Sequence, residues 1–383
     1  MKVFAAAGMA VAFLIPAVSH AAEARREGFG TLPDGSAVEA ITLSNAHGVR
    51  ARIITYGAIL QSVWAPDRSG KSADIALGYA DMKGYIVAPN YFGATVGRYA
   101  NRIKNGHFTL DGRQYTLAIN NPPNALHGGV KGFDKRLWKI VKVTDGPVAS
   151  VTLSYTSADG EEGYPGEMTV TATYSLNEKN ELSIDYAAVT TKPTIVNITN
   201  HSFFNLAGEA SRRTIYDHVL TIPAETTTPV DATLIPSGDL RPVAGTPFDF
   251  RQPHVIGDRI RDGSDPQIVF GQGYDENFVM AKTIAAEPRL HARLEDPASG
   301  RVMEVLSNQP GLQLYTGNFL DGKAIGKSGQ AYRQGDGVAL EPQVFPDTPN
   351  QPAFGSARLD PGQTYHNLIV YRFSTTAKTT AGH

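Results

Sequence analysis

Hydrophobic and polar positions along this chain alternate with a period of two far more often than they repeat with a helical period. The clearest stretch is Met168-Thr169-Val170-Thr171-Ala172-Thr173-Tyr174-Ser175-Leu176, in which every second residue is apolar. Such a segment buries one face as a strand and leaves the other in water. Asn177-Glu178-Lys179-Asn180 then supplies turn residues, and Glu181-Leu182-Ser183-Ile184-Asp185-Tyr186 resumes the alternation, so the two runs predict a hairpin. Alternating or β-branched runs also predict strands over residues 40–44, 50–56, 58–64, 151–155, 302–306, 312–315 and 367–373. Thr194-Ile195-Val196-Asn197-Ile198-Thr199 reads as one more strand, and Pro66-Asp67-Arg68-Ser69-Gly70 as a tight turn.

No segment sustains a helical period, and turn signals recur at roughly 8–12 residue spacing, the pattern of an all-β sandwich or barrel. With no internal repeat and no linker, residues 25–375 are expected to form one antiparallel β domain. Its longest loops fall near 79–107, 119–138, 157–167, 207–217, 223–275 and 318–352. Loops of that length in a compact fold usually carry function.

Composition narrows the classes. The 383 residues carry a formal net charge of −2 with no basic block, which argues against nucleic acid as the partner. There is no cysteine, which excludes disulfides, thiolate metal sites and a cysteine nucleophile. Residues 1–21 read as a secretory signal peptide: a positive start at Met1-Lys2, an apolar run from Val3 to Val18, and small residues at Ser19 and Ala21. The expectation is a periplasmic protein that is free of the membrane after cleavage, a monomer or homodimer, with a frayed polar tail over 376–383.

Several familiar motifs fail. Gly70-Lys71-Ser72 and Gly326-Lys327-Ser328 lack the first glycine of a phosphate loop, which would fall at Ala65 and Asp321. Gly271-Gln272-Gly273 lacks the third glycine of a dinucleotide turn, no Gly-x-Ser-x-Gly elbow occurs, and the ten histidines show no metal-ligand spacing. No metal or cofactor is expected.

What survives is a scattered set: Asn101-Arg102, Asn124-Ala125-Leu126-His127-Gly128-Gly129, Asn200-His201-Ser202-Phe203-Phe204-Asn205-Leu206, Gly273-Tyr274-Asp275-Glu276-Asn277-Phe278 and Leu340-Glu341-Pro342-Gln343. Each places a polar group beside apolar residues or glycine, as a sugar pocket requires: side chains for hydroxyls, aromatics for ring faces, glycines for close approach. With Thr55-Tyr56-Gly57-Ala58, Tyr91-Phe92-Gly93-Ala94, the stretch Leu126 to Lys135, Asp159 to Gly166 and Tyr315-Thr316-Gly317-Asn318, this order of motifs resembles the aldose 1-epimerase (galactose mutarotase) family over nearly the whole chain.

The resemblance implies a single large antiparallel β-sandwich with an open sugar cleft. It also implies a cofactor-free interconversion of the α and β anomers of free aldohexoses such as galactose and glucose. It implies Glu341 as the general base at the C1 hydroxyl and His201 as the general acid at the ring oxygen, with Asn101, Arg102, His127, Asp275 and Gln313 binding the sugar. The residue types suit the task, since opening the ring needs one group to take a proton and another to give one across one C–O bond. The chain departs from the family at Glu276, where histidine is common; an added carboxylate there is expected to alter hydroxyl preference or raise a neighbour's pKa. Three rival readings stand beside this one: a glycoside hydrolase using Glu341 and Asp275, a non-catalytic sugar-binding module, and an epimerase of hexose 6-phosphates, which would need a basic cluster at the pocket mouth.

Overall fold

The structure is a computed structural model that describes residues 22–88 and 90–377; the predicted signal peptide and the end of the tail lie outside them. Three antiparallel sheets carry the architecture. The largest has nine strands, Lys139–Thr144, Val148–Ser157, Met168–Asn177, Glu181–Thr190, Tyr365–Thr375, Arg301–Ser307, Arg289–Glu295, Val219–Thr221 and His254–Val255, in that spatial order. A six-stranded sheet runs Phe203–Phe204, Val338–Gln343, Gly311–Tyr315, Asp275–Val279, Thr226–Thr228 and Arg241–Pro242. A five-stranded meander over residues 23–74 begins the domain.

The predicted hairpin forms as its alternation demands. Met168–Asn177 pairs with Glu181–Thr190 in unbroken register from Met168 opposite Thr190 to Leu176 opposite Leu182. Asn177 closes the turn, its Oδ1 accepting from the Lys179 and Glu181 amides. Val170, Tyr174, Leu182 and Ile184 from this hairpin share one buried cluster with Leu312, Leu314 and Leu340 of the six-stranded sheet and Ile53 and Leu60 of the meander. The two larger sheets therefore pack face to face as a sandwich, burying apolar side chains at roughly 25 cal/mol per Å² of area withdrawn from water. The other face of the six-stranded sheet is left for the cleft.

Four details differ from the sequence-based expectation. The first strand begins earlier, at Glu23, because an edge strand covered on little of its surface (no residue of Glu23–Thr31 is fully buried) shows no apolar alternation. The run Thr194–Thr199 is not one strand. It breaks into Thr194–Ile195 and Thr199–His201, because Asn197 leaves the ladder to stitch three segments: its Nδ2 donates to the Ala100 and Val344 carbonyls and its Oδ1 accepts from the Val344 amide. Two six-residue helices, Met82–Val87 and Pro266–Gly271, occupy expected loops; each is capped by an aspartate, Asp81 or Asp265, and is too short to display a period. Residues 318–352, expected as loop, contain the strand Val338–Gln343 at the heart of the six-stranded sheet.

Candidate active site

Cross-strand register builds the floor of the site. In the six-stranded sheet Asn277 lies opposite Gln313 and Gln313 opposite Glu341, so their side chains form a row on one face. Two pairs further along, and so on the same face, Asp275 lies opposite Tyr315. The alternate positions, Leu312, Leu314, Leu340 and Phe278, point into the sandwich core. All six residues of Val338–Gln343 are buried, and its alternation is short: Val338-Ala339-Leu340 is apolar throughout, leaving Leu340-Glu341-Pro342-Gln343, with a proline inside it.

Glu341 and His201 meet across the floor, with His201 Nε2 at 3.7 Å from Glu341 Oε1 and both side chains almost wholly buried. His201 closes the short strand Thr199–His201 and is held by its neighbours. The Gly93 amide donates to the His201 carbonyl, Asn200 Nδ2 donates to the Gly93 carbonyl, and Ser202 Oγ donates to Asn200 Oδ1. A side chain at Gly93, where φ is +69°, would strike the Leu60 carbonyl, so only glycine lets the backbone come this close. Burial pushes His201 down to about 4 and Glu341 well above the ordinary carboxylate range, the latter reinforced by the nearby charge of Asp275.

The wall opposite comes from the first long loops. Asn101, at φ +63°, accepts the Arg102 amide on its Oδ1, and its own amide donates to His127 Nδ1. His127 thereby keeps Nε2 as its N–H donor. Its ring is held well below the usual histidine range by burial and by His201, Arg102 and Lys135 nearby. Gly128 must be glycine: a Cβ would lie 1.8 Å from the Gly97 carbonyl oxygen. Arg102 Nε donates to Asn121 Oδ1, and its Nη1 lies 4.0 Å from Asp275 Oδ2. Gln313 Nε2 donates to Asp275 Oδ1 at 2.7 Å.

The expected residues Asn101, Arg102, His127, His201, Asp275, Gln313 and Glu341 thus line one cleft of about 460 Å³. Glu276 does not. It sits between two floor residues but projects from the opposite face, beside Leu314 and against Arg241 and Asp265, so it cannot touch a hydroxyl in the cleft. The residue is 1% exposed, its oxygens make no hydrogen bond of 3.5 Å or less, and burial pushes it up to about 8 although the Thr227 hydroxyl and Arg241 nearby act the other way. The influence of charge also runs the other way from expectation, Asp275 raising Glu276. Sequence reasoning assigned no role to Tyr91, Asn121, Phe203 and Tyr315, which line the same cleft. Tyr315 was within reach, lying two residues from Gln313 on one strand and therefore on the same face.

The chain resembles known proteins along most of its length. The profile of the aldose 1-epimerase family matches residues 39–372. A galactose mutarotase from Rattus norvegicus is 46% identical over 347 residues, covering 90% of this chain and 97% of that protein. An aldose 1-epimerase from Escherichia coli K12 is 38% identical over 344 residues, covering 89% and 96%. Among solved structures, a galactose 1-epimerase from Lactobacillus acidophilus superposes with a TM-score of 0.81 at 29% identity, covering 93% of this chain and 99% of that one. An aldose epimerase homologue from C. elegans superposes at 0.80 with 33% identity, covering 88% and 99%. The sandwich, the cleft and this likeness from end to end place the chain in the aldose 1-epimerase family.

Proposed function

We propose that this protein is an aldose 1-epimerase that interconverts the α and β anomers of free aldohexoses, galactose and glucose among them, by opening and closing the ring. The observation that carries the reading is the buried Glu341–His201 pair, 3.7 Å apart in a cleft lined by polar side chains and aromatic rings together. Glu341 takes the proton of the C1 hydroxyl while His201 protonates the ring oxygen. The C–O bond breaks, the C1–C2 bond turns, and the same two groups act in reverse to close the ring.

The pair holds one proton at a time. Burial disfavours charge on either group, so in the empty cleft the proton rests on Glu341 and His201 is neutral. That is the arrangement the open-chain aldehyde needs, a donor at O1 and an acceptor at the new hydroxyl. The cyclic sugar needs the opposite arrangement, in which a carboxylate and an imidazolium at 3.7 Å stabilise each other in a medium of low dielectric. Arg102, His127, Asp275 and Gln313 hold the hydroxyls and fix which oxygen faces which group.

The rivals fit less well. A glycoside hydrolase works through two carboxyl groups, whereas here the group in contact with Glu341 is the imidazole of His201, and Asp275 is engaged by Gln313 and Arg102. A binding module has no use for a buried acid–base pair. Among the described residues lining the cleft Arg102 is the one cation, and it is engaged by Asn121 and Asp275, which favours unphosphorylated sugars. We propose further that residues 1–21 direct export to the periplasm, on the strength of their sequence pattern. N-terminal sequencing of the mature protein checks this, and full-length protein retained in the membrane would refute it. The activity is tested by polarimetry on freshly dissolved α-D-glucose and α-D-galactose: the enzyme hastens the drift to equilibrium, and a rate no faster than buffer would sink the reading.

A further inference from the structure

Three aromatic rings meet where the proton is delivered. Tyr91 stacks on His201 with centroids 5.8 Å apart and planes 26° from parallel. It leans on His127 at 4.7 Å and 56°, and the two imidazoles meet edge to face at 5.1 Å and 79°. Tyr91 adopts φ +59°, a left-handed conformation that a tyrosine takes only under constraint from its surroundings, and this delivers its ring to the cleft wall. Lys135 places its Nζ 5.1 Å from the centre of the same ring and donates to Asp134 Oδ2 at 2.5 Å. Asp134 is buried and its Oδ1 has no partner.

We propose that Tyr91 is a positioning residue for the epimerisation: its ring face holds His201 in line with the ring oxygen and supports the imidazolium, while the Lys135–Asp134 pair limits that support. The inference rests on the acid role given to His201 above. The physics is that of the aromatic quadrupole, whose negative face attracts a cation. His201 must gain and lose charge in every turnover, so a surface that weakly favours its charged form lowers the cost of that form without trapping it. A second cation on the same ring draws on the same π system and opposes a second positive charge nearby. The other charged or titratable groups about the imidazole are Glu341 from the floor, with Asp275 beyond it, and His127 and Arg102 from the facing loops. None of these is an aromatic ring near-parallel to His201; among the aromatic neighbours Phe203 lies at 4.9 Å and 33° and Tyr315 at 6.3 Å and 76°, and Tyr91 is the one of the three that also holds a cation, Lys135.

The test uses the intact enzyme and three substitutions, Tyr91→Leu, Tyr91→Phe and Lys135→Met, each checked for an unchanged circular dichroism spectrum. Tyr91→Leu is expected to lose about tenfold or more in kcat with little change in KM, and Tyr91→Phe, which keeps the face, to recover most of that loss. Lys135→Met is expected to move the imidazole titration of His201, followed by NMR, upward by about half a pH unit. In the Tyr91→Leu background the same substitution should move it much less. Three results would overturn the proposal: a Tyr91→Leu enzyme with normal kcat, a Tyr91→Phe enzyme as poor as Tyr91→Leu, or an equal Lys135→Met shift in both backgrounds. Should Tyr91→Leu fail to fold, a Lys135→Met shift that is zero or downward overturns it alone. The NMR readout needs no turnover, so a wild-type enzyme inactive on aldohexoses would refute the functional reading, and the titration shifts would still decide whether Tyr91 supports the imidazolium.

Discussion

The hairpin Met168–Asn177/Glu181–Thr190 and the strand Val338–Gln343 are both antiparallel β structure, yet they stand in opposite relation to solvent. The hairpin buries alternate residues and leaves the rest half-exposed, whereas Val338–Gln343 is buried on both faces. In the hairpin, polar residues are where water is. In the inner strand Glu341 and Gln343 are buried on the cleft side of the sheet, so their presence has to be explained by a partner or by chemistry. Buried polarity thus separates the working sheet from the supporting one.

Neutralising the inner strand's acid breaks this contrast most directly. Glu341→Gln is expected to cost about 10²–10⁴-fold in kcat, and His201→Asn a similar amount, read by polarimetry; a loss under tenfold for both would mean the pair is not the acid–base couple. The pH profile sharpens the same point. With His201 pushed down to about 4 and Glu341 pushed well up, the single shared proton is retained over a broad range, so kcat/KM should be flat across neutrality, with macroscopic limbs belonging to the pair. A narrow bell centred near the ordinary histidine value would contradict it.

Glu276 extends the contrast to stability. Its folded carboxyl titrates at about 8, above the ordinary value of about 4.3. The folded protein therefore holds a proton there that the unfolded chain releases. Stability from this group is fully present below the ordinary value and is lost as pH rises towards 8, at up to about 1.4 kcal/mol per pH unit. Glu276→Gln should flatten the fall in Tm between pH 5 and 8.5 and leave kcat near normal; a fall as steep as wild type would show that the buried acid does not set the pH dependence. Smaller is the effect of Asp275→Ala, expected to raise KM by about 10–100-fold through loss of charge-assisted hydrogen bonds, with unchanged affinity refuting its role in binding. Smallest is Thr173→Val on the outer face of the hairpin, within about 0.5 kcal/mol in stability and without effect on rate.

These differences also mark what could be read from the chain. The hairpin was legible residue by residue because water on one side writes a period of two. The strand holding Glu341 was not, and its stretch looked like loop, because Val338-Ala339-Leu340 is apolar throughout and the four residues that alternate, Leu340 to Gln343, contain a proline. The seven site residues were identified by motif resemblance rather than by any local pattern, and the fold brings all seven to one cleft. Glu276 shows the limit of that route. Its neighbour in sequence is a floor residue, but successive side chains of a strand point to opposite faces, so adjacency in the chain is separation in the site. Tyr91 shows another: the contact that matters joins positions 91, 127, 135 and 201, and no spacing announces it.

The shared proton has a kinetic consequence. With the roles proposed above for His201 and Glu341, opening moves it from His201 to the sugar while Glu341 collects another from the sugar, and closing returns both, so each cycle ends with the protein in the state in which it began. No hydron has to be fetched from the medium. Turnover should therefore be indifferent to the concentration of buffer, and an acid–base pair buried at the floor of the cleft loses nothing by lying out of reach of buffer ions.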